Sequence, residues 1–387
     1  MCIRDRTLTF TGLVGSETLG QTVGSTFDNK NVGSNKAVTV NSISLADGSN
    51  GGLAANYSIS AGQTTTAHIS PKSLTVSINT ASNKTYDSNS SATVTITLSG
   101  FVGSETLTYT NASSFNNKNV GTGKTVTVNS ITLADGNNGG LASNYSVTPG
   151  QTTTANIAAK ALTISGITAS SKTYDGNTSA TLDTSSVLYT GLISGDTFNG
   201  SYSGAFGNAN VGTAKTVTIT PSYTGADVSN YDITEQTSTT ADISAKALTA
   251  TASVSNKTYD ATNFAAATLS MSGLVGSETL SATNTSTFNN KNVGTGKTVT
   301  VNSITLADGS NGGLAANYSI SAGQTTTANI TAKSLTVSGI TASNKTYDGS
   351  TNTTLDASSV AYSGLISGDT FNGTLSLIHI SEPTRPY

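Results

Sequence analysis

The tetrapeptide Lys-Thr-Tyr-Asp brings an amine, a phenol and a carboxylate together within four residues, and it occurs four times in this chain. Its copies begin at Lys84, Lys172, Lys257 and Lys345, at spacings of 88, 85 and 88 residues. Such groups could carry protons, hold a ligand or condense into an amide. Self-similarity at a fixed period is also the signature of a tandem array. The motif must therefore be weighed both as a chemical site and as a structural feature of each repeat.

The structural interpretation of the motif is favoured. On an extended segment the lysine and the tyrosine point one way and the aspartate the other, so the tyrosine can anchor a core while the aspartate starts a turn. Two copies carry Ser88 or Ala261 where the others have glycine, which argues against an obligatory glycine conformation. The residues of this structural repeat motif are Lys84, Tyr86, Asp87, Lys172, Tyr174, Asp175, Gly176, Lys257, Tyr259, Asp260, Lys345, Tyr347, Asp348 and Gly349.

Catalytic groups are scarce. Between residues 7 and 374 the chain has one histidine, His68, and no cysteine, so neither a Ser/His/Asp nor a Cys/His arrangement can be assembled. We interpret His68 as a solvated variant, because other repeats carry Asn or Asp there. We predict no enzyme, no catalytic residue and no cofactor. A turn position alternates between glutamate and aspartate, as a structural acid would and a catalytic acid would not: Glu17, Glu105, Asp196, Glu278 and Asp369.

The loops and the lysines raise two further chemistries. The oxygen-rich loops at residues 47–50 and 135–138 could offer ligands to calcium, but neither gathers several carboxylates, so we predict no metal site. An intramolecular Lys–Asn isopeptide bond would need a buried lysine, an asparagine and a carboxylate in contact, which spacing cannot reveal. The intact mass of a complete repeat tests it, because each bond removes one ammonia.

Strands must position these groups. Leu74, Val76 and Ile78 alternate with polar residues, which is the period of a half-buried strand. In the same repeat Val126 and Val128 are followed by Ile131, a shift of one residue. Because such a slip moves later side chains to the other face, we predict a bulge or break near residues 129–130. The repeat at 161–246 keeps its alternation in phase.

The array is predicted to be all-β, a tandem series of small β-sandwich or mostly-β, grasp-like domains in an elongated rod. Three or four residues separate the last strand of one repeat from the first of the next, which predicts restricted relative orientation. We number the repeats first to fifth: a truncated repeat at 7–72, complete repeats at 73–160, 161–246 and 247–333, and a truncated repeat at 334–374. Residues 1–6 and 375–387 differ in composition and resemble translated sequencing-adapter sequence, so we predict that both ends are artefacts.

Charge excludes several partners. Charged residues make up 10% of the chain, against about 25% in ordinary soluble domains, and the formal net charge is −3. A binder of nucleic acid needs a basic surface, so we predict no nucleic-acid partner. No apolar run is long enough to span a bilayer, which predicts no membrane insertion in this segment.

Several segments together resemble the bacterial YDG repeat. They are residues 172–181, 191–198, 210–215, 228–231 and 241–243 of the third repeat. This family is similar to the mostly-β MBG repeats, and both occur in tandem in large filamentous-haemagglutinin-like surface adhesins. The resemblance implies a secreted, cell-surface array without catalytic residues. We expect structural stalk or spacer repeats whose partners are neighbouring repeats of the same chain. The alternative is that the repeats bind host glycans or surface proteins through their Asn/Gly-rich loops.

Overall fold

The computed structural model describes residues 8–370 of the 387-residue chain. Within this range β-strands are joined by turns and short 3-10 helices, without an α-helix. The all-β prediction is confirmed. Residues 8–370 contain no helix with the length and apolarity needed to cross a bilayer. The two ends that resemble adapter sequence, 1–6 and 375–387, lie outside the described residues.

The first repeat forms one antiparallel sheet in the order β1-β2-β3, with a 3-10 helix before its last strand. Its elements are β1 (Leu19–Phe27), β2 (Gly33–Asp47), η1 (Ala54–Asn56) and β3 (Thr64–Ile69).

The second repeat adds a front half that the first repeat lacks. Its elements are β4 (Lys72–Ser73), β5 (Thr75–Ala81), β6 (Lys84–Thr85), β7 (Ser91–Ala92), β8 (Val94–Ser99), β9 (Leu107–Phe115), β10 (Gly121–Asp135), η2 (Ala142–Asn144), β11 (Tyr145–Ser146) and β12 (Thr152–Ala158).

The third repeat follows the same plan. Its elements are β13 (Lys160–Ser165), β14 (Thr168–Ala169), β15 (Lys172–Thr173), β16 (Ser179–Ala180), β17 (Leu182–Asp183), β18 (Leu188–Thr190), β19 (Asn199–Phe206), β20 (Gly212–Thr224), η3 (Val228–Asn230), β21 (Tyr231–Thr234) and β22 (Ser238–Ser244).

The fourth repeat and the described part of the fifth contain the remaining described elements. Their elements are β23 (Lys246–Val254), β24 (Lys257–Thr258), β25 (Phe264–Ala265), β26 (Ala267–Ser272), β27 (Leu280–Phe288), β28 (Gly294–Asp308), η4 (Ala315–Asn317), β29 (Tyr318–Ile320), β30 (Thr325–Thr331), β31 (Thr336–Ser338), β32 (Thr341–Ala342), β33 (Leu355–Asp356) and β34 (Ala361–Ser363).

A five-stranded sheet recurs in each complete repeat, in the orders β6-β12-β10-β9-β7, β15-β22-β20-β19-β16 and β24-β30-β28-β27-β25. In the second and fourth repeats the two long strands form an antiparallel hairpin. In all three complete repeats the last strand pairs antiparallel with the second long strand. The short strand that carries Lys-Thr of the motif joins parallel to this last strand. The motif therefore attaches the front of each repeat to its end.

The first strand of each complete repeat lies in a smaller sheet. In the fourth repeat β23 lies between β26, to which it is antiparallel, and β29, to which it is parallel. The third repeat has the equivalent order β18-β13-β21. One or two residues separate the last strand of each of the first three repeats from the next strand, fewer than the predicted three or four. The reason is that the lysine at each start already pairs with a later strand.

The predicted slip in the long strands is confirmed. The β9–β10 register shifts between Val128 and Ser130, and the long hairpins of the first and fourth repeats shift at the corresponding place. The side chain of Asn129, at the bulge, donates to Ser114 Oγ at 2.8 Å. In the third repeat Val217 and Ile219 are buried and alternation continues without a shift in exposure. The second long strand of the second repeat therefore differs from that of the third repeat by a bulge at Asn129.

Two compact units contain the cores. Of the described residues, one unit comprises 8–164 with Tyr189–Gly200 and Tyr223–Thr234, and the other comprises Ser165–Leu188, Ser201–Ser222 and residues 235–370. The third repeat thus contributes segments to both units, and the predicted repeat boundaries stay a prediction. Each core is built from inward-facing strand residues, of which Val126 and Val299 are fully buried.

Candidate functional site

The four motif copies fold into one kind of turn in which the lysine and the aspartate bind each other. Lys84 Nζ lies 2.6 Å from Asp87 Oδ1. The prediction that these two side chains point in opposite directions is wrong, because extended backbone ends after the two-residue strand β6 and the turn returns Asp87 to the ammonium group. The other pairs, at 2.7, 2.8 and 3.0 Å, are Lys172 with Asp175, Lys257 with Asp260 and Lys345 with Asp348.

The motif lysine also closes the turn beyond the aspartate. Lys84 Nζ donates to the backbone oxygen of Asn89 at 2.8 Å and to its side-chain oxygen at 3.0 Å. The ammonium group lies 5.7 Å from the ring centroid of Phe115, and the third and fourth repeats repeat this cation–π contact. The lysine is therefore a bridging side chain rather than a solvated one.

The lysine, asparagine and carboxylate that an isopeptide bond requires do meet in this turn. However, Thr262 and Ser350 replace the asparagine in the last two copies and accept the same bonds from their lysines. Neither residue can condense with an amine, and the Asp87 side chain remains 46% exposed. This pattern favours a hydrogen-bonded turn.

The residue after the aspartate adopts a left-handed conformation in every copy. Its φ is 65° at Ser88, 78° at Gly176, 62° at Ala261 and 71° at Gly349. The inference that Ser and Ala argue against a glycine conformation is therefore wrong. The turn imposes positive φ even where a β-carbon makes it costly.

We expect Ala261→Gly to stabilise the fourth repeat by about 0.5–1 kcal/mol, because relief of left-handed strain exceeds the added entropy of the unfolded chain. Differential scanning calorimetry of the full chain measures the shift. Ala332→Gly is the control: this exposed alanine has no positive φ, so the same substitution should slightly destabilise. A lower unfolding temperature for Ala261→Gly would contradict the interpretation.

The motif tyrosines differ widely in burial. Tyr86 is 1% exposed and Tyr174 is 4% exposed, as expected of core anchors. Tyr259 is half-buried, and Tyr347 in the fifth repeat is 94% exposed. The same sequence therefore gives opposite environments, and the difference depends on what the next repeat supplies.

The Tyr86 side chain of the second repeat packs against the third repeat. Its ring meets that of Tyr231 edge-on, with centroids 5.6 Å apart. Its hydroxyl donates to Asp227 Oδ1 at 3.2 Å. The motif tyrosine is therefore a contact between consecutive repeats within one compact unit.

A lysine joins two buried carboxylates at the same place. Lys118 Nζ lies 2.8 Å from Asp227 Oδ1 and 3.3 Å from Asp196 Oδ1. The side chain of Asp196 has no exposed surface. It also accepts hydrogen bonds from Ser88 Oγ at 2.7 Å and from the Tyr231 hydroxyl at 2.6 Å. Every donor needed to keep this carboxylate charged is present.

Hydrogen bonds set the charge state of this cluster. Burial alone would raise the pKa of Asp196, but donors from Ser88, Tyr231, Tyr86 and Lys118 hold it at about 2. Burial and the bond to Asp196 raise the pKa of Tyr231 to about 12. Because the folded pKa of Asp196 lies below its unfolded value, its contribution to stability is present above about pH 4. That contribution is lost as the pH falls toward 2.

The third and fourth repeats meet through a simpler version of the same contact. Tyr174 and Tyr318 pack edge-on at 5.4 Å, and their hydroxyls donate to the two oxygens of Glu278, both at 2.6 Å. Burial and Glu278 raise the pKa of Tyr174 to about 12. Ala209 stands where the second repeat has Lys118, so one carboxylate serves two phenols without a lysine.

A family model, described as the YDG domain, matches residues 4–67, 70–155, 158–240, 244–328 and 331–378. The chain belongs to the YDG-domain family. No curated protein matches its sequence. Solved structures that match include the I9-I11 tandem from titin, at 10% identity and a TM-score of 0.18, covering 67% of this chain and all of that one.

An asparagine of each following YDG repeat completes the contact. Asn317 Oδ1 accepts from the backbone N–H of Val211 at 2.9 Å, and its amide nitrogen donates to Asn210 Oδ1 at 3.1 Å. Asn317 is 1% exposed. The other copies are Asn144 with Asn31 and Val32, and Asn230 with Asn119 and Val120.

Sequence reasoning missed this role for the asparagines. The Asn-Val-Gly segment at residues 119–121 forms a turn that leads into a strand, in which Asn119 N–H donates to Asn117 Oδ1 at 3.0 Å. The available signal was a second asparagine about 110 residues after the first. A tyrosine directly follows this second asparagine, as at 230–231 and 317–318. A local sequence pattern cannot predict a contact between two residues that lie more than one repeat period apart in the sequence.

The turn acids of the YDG repeats bind tyrosines. Glu105 accepts from Tyr145 at 2.8 Å within its repeat and pairs with Lys30 of the preceding repeat at 2.7 Å. In the fifth repeat Asp369 accepts from Tyr259 at 3.1 Å. Glutamate and aspartate both reach the phenol, which accounts for their alternation.

His68 is exposed, as expected of a solvated variant, and it also accepts a backbone hydrogen bond. Its Nδ1 accepts from the N–H of Asn35, a left-handed residue, at 3.2 Å. Asn156, Asp242 and Asn329 accept the equivalent N–H at 2.7 Å in later repeats. Among residues 8–370 no group of three or more His, Cys, Asp and Glu side chains is placed to hold a metal ion.

Proposed function

We propose that these YDG repeats are the structural stalk or spacer of a large secreted, cell-surface adhesin, and that they catalyse no reaction. One observation carries the proposal: three polar side chains that recur with the period, the motif tyrosine, the turn acid and the asparagine of the 3-10 helix, bind neighbouring repeats instead of lining an open site. Tyr174, Glu278 and Asn317 form one such contact, and Tyr86, Asp196 and Asn230 form another. These side chains give each repeat a surface that binds the next repeat.

The spacer proposal is tested by length. Chains with one, two and three of the complete repeats are compared by small-angle X-ray scattering. A spacer should gain the same increment of maximum dimension with each repeat added. A dimension that stays constant, or rises only as the cube root of the mass, would refute the spacer role.

The alternative is that the repeats bind glycans or host proteins through their Asn/Gly-rich loops. Glycan binding would favour exposed tyrosines near the loops, yet among the described residues Tyr347 alone has that exposure. The loop asparagines also bond their own chain, as Asn117 does with Lys124 at 2.7 Å. A glycan array probed with the full chain decides: saturable binding would support the alternative, and a flat result would remove it.

A further inference from the structure

Each complete repeat holds its beginning to its end by parallel strand pairs. In the fourth repeat β23 pairs with β29, matching Lys246–Tyr318 to Leu248–Ile320, and β24 pairs with β30, matching Lys257 with Ile330. The N–H of Tyr259 extends the second pair by donating to Thr331 at 2.8 Å. The second and third repeats have the same pairs, β4–β11 with β6–β12 and β13–β21 with β15–β22.

The direction of these pairs decides how they respond to tension. In a parallel pair, the N-terminal end of one strand and the C-terminal end of the other lie at opposite ends of the ladder. Force that enters at the start of the repeat and leaves at its end therefore slides the strands along each other, and the bonds must break together. A pair pulled from a single end opens one bond at a time. The first geometry resists more force for the same number of bonds.

We propose that the β24–β30 pair and its counterparts are mechanical clamps that let each repeat bear tension along the chain. The proposal rests on the spacer role only in that a surface stalk is a setting where tension acts. The Lys-Thr-Tyr segment of the motif is then the N-terminal half of the clamp. The turn closed by Lys257 and Asp260 fixes the end of that half.

A side chain just before the motif adds a further bond across the clamp. Asn256 Oδ1 accepts from the N–H of Asn329, in β30, at 2.7 Å. In the second repeat Asn83 does the same for Asn156 at 2.7 Å, and in the third Ser171 does so for Asp242 at 3.0 Å. This bond lies upstream of the two-residue strand and lengthens the ladder that must slide.

Single-molecule force spectroscopy on the full chain tests the clamp. The only cysteine is Cys2, so Cys2→Ser leaves a background in which handles attach at chosen sites. Ser255→Cys with Ala332→Cys loads β24 and β30 from opposite ends. Ser255→Cys with Thr327→Cys loads them from the same end, because Thr327 lies three residues before Ile330, the partner of Lys257. All three positions are exposed.

We expect the opposite-end pair to unfold at a force at least about twofold higher than the same-end pair, since its hydrogen bonds fail together. Asn256→Ala should lower the first force and leave the second unchanged. Thermal unfolding of both cysteine variants at the parental temperature confirms that each is folded. Equal forces, or a higher force for the same-end pair, would overturn the clamp. The scattering experiment tests the spacer role and does not depend on these forces. The clamp can therefore fail while the spacer role stands, and the reverse.

Discussion

Tyr174→Ala is expected to destabilise the contact between the third and fourth repeats by about 3–5 kcal/mol, the usual cost of truncating a buried aromatic side chain. Tyr174 is 4% exposed, packs on Tyr318 and donates to Glu278. Its removal leaves a cavity and strips one of the two phenols from the carboxylate. Because the protein lacks tryptophan, hydrogen exchange read by mass spectrometry is the appropriate measurement, with faster exchange in β23 and β29.

The chain contains its own control for this substitution. Tyr347 stands at the same place in the motif and is 94% exposed, so Tyr347→Ala should change stability by no more than about 0.5 kcal/mol. Tyr174→Phe separates packing from hydrogen bonding and should lose about 1 kcal/mol. Equal effects of the two alanine substitutions would mean that the tyrosine acts within its own turn and not on the next repeat.

Local periodicity was enough to predict the strands and the bulge. The alternation of Val126 and Val128 with threonines depends on which face is buried, and a one-residue slip must be absorbed where it occurs. Each of these features is determined by neighbours a few residues away, so the sequence alone carries the necessary information.

The contacts between repeats could not be predicted in the same way. Tyr86 meets Tyr231 and Asp227 across more than 140 residues, and no local pattern specifies which acid a phenol will find. The conformation of Ala261 was misjudged because the residue type shows only which side chain a position tolerates. It does not show how much backbone strain that side chain carries there. The turn aspartate and the lysine bridge fix positive φ there, and the alanine carries the strain.

Asn317→Ala is expected to destabilise the same contact by about 2–3 kcal/mol, because it removes two hydrogen bonds and leaves the N–H of Val211 without its acceptor in a partly buried site. The side chain is 1% exposed, so water cannot replace it without rearrangement. Calorimetry of the full chain measures the loss, and hydrogen exchange at Val211 locates it. Exchange there should accelerate together with that of η4.

Asn56 provides the matched control, since it holds the same position in the first repeat and is exposed. Asn56→Ala should leave stability within about 0.5 kcal/mol of the parent. A large loss at both sites would assign the asparagine to its own 3-10 turn, whereas a loss at Asn317 alone assigns it to the preceding repeat. The second outcome would make the asparagine, together with the motif tyrosine, a residue through which one YDG repeat recognises another.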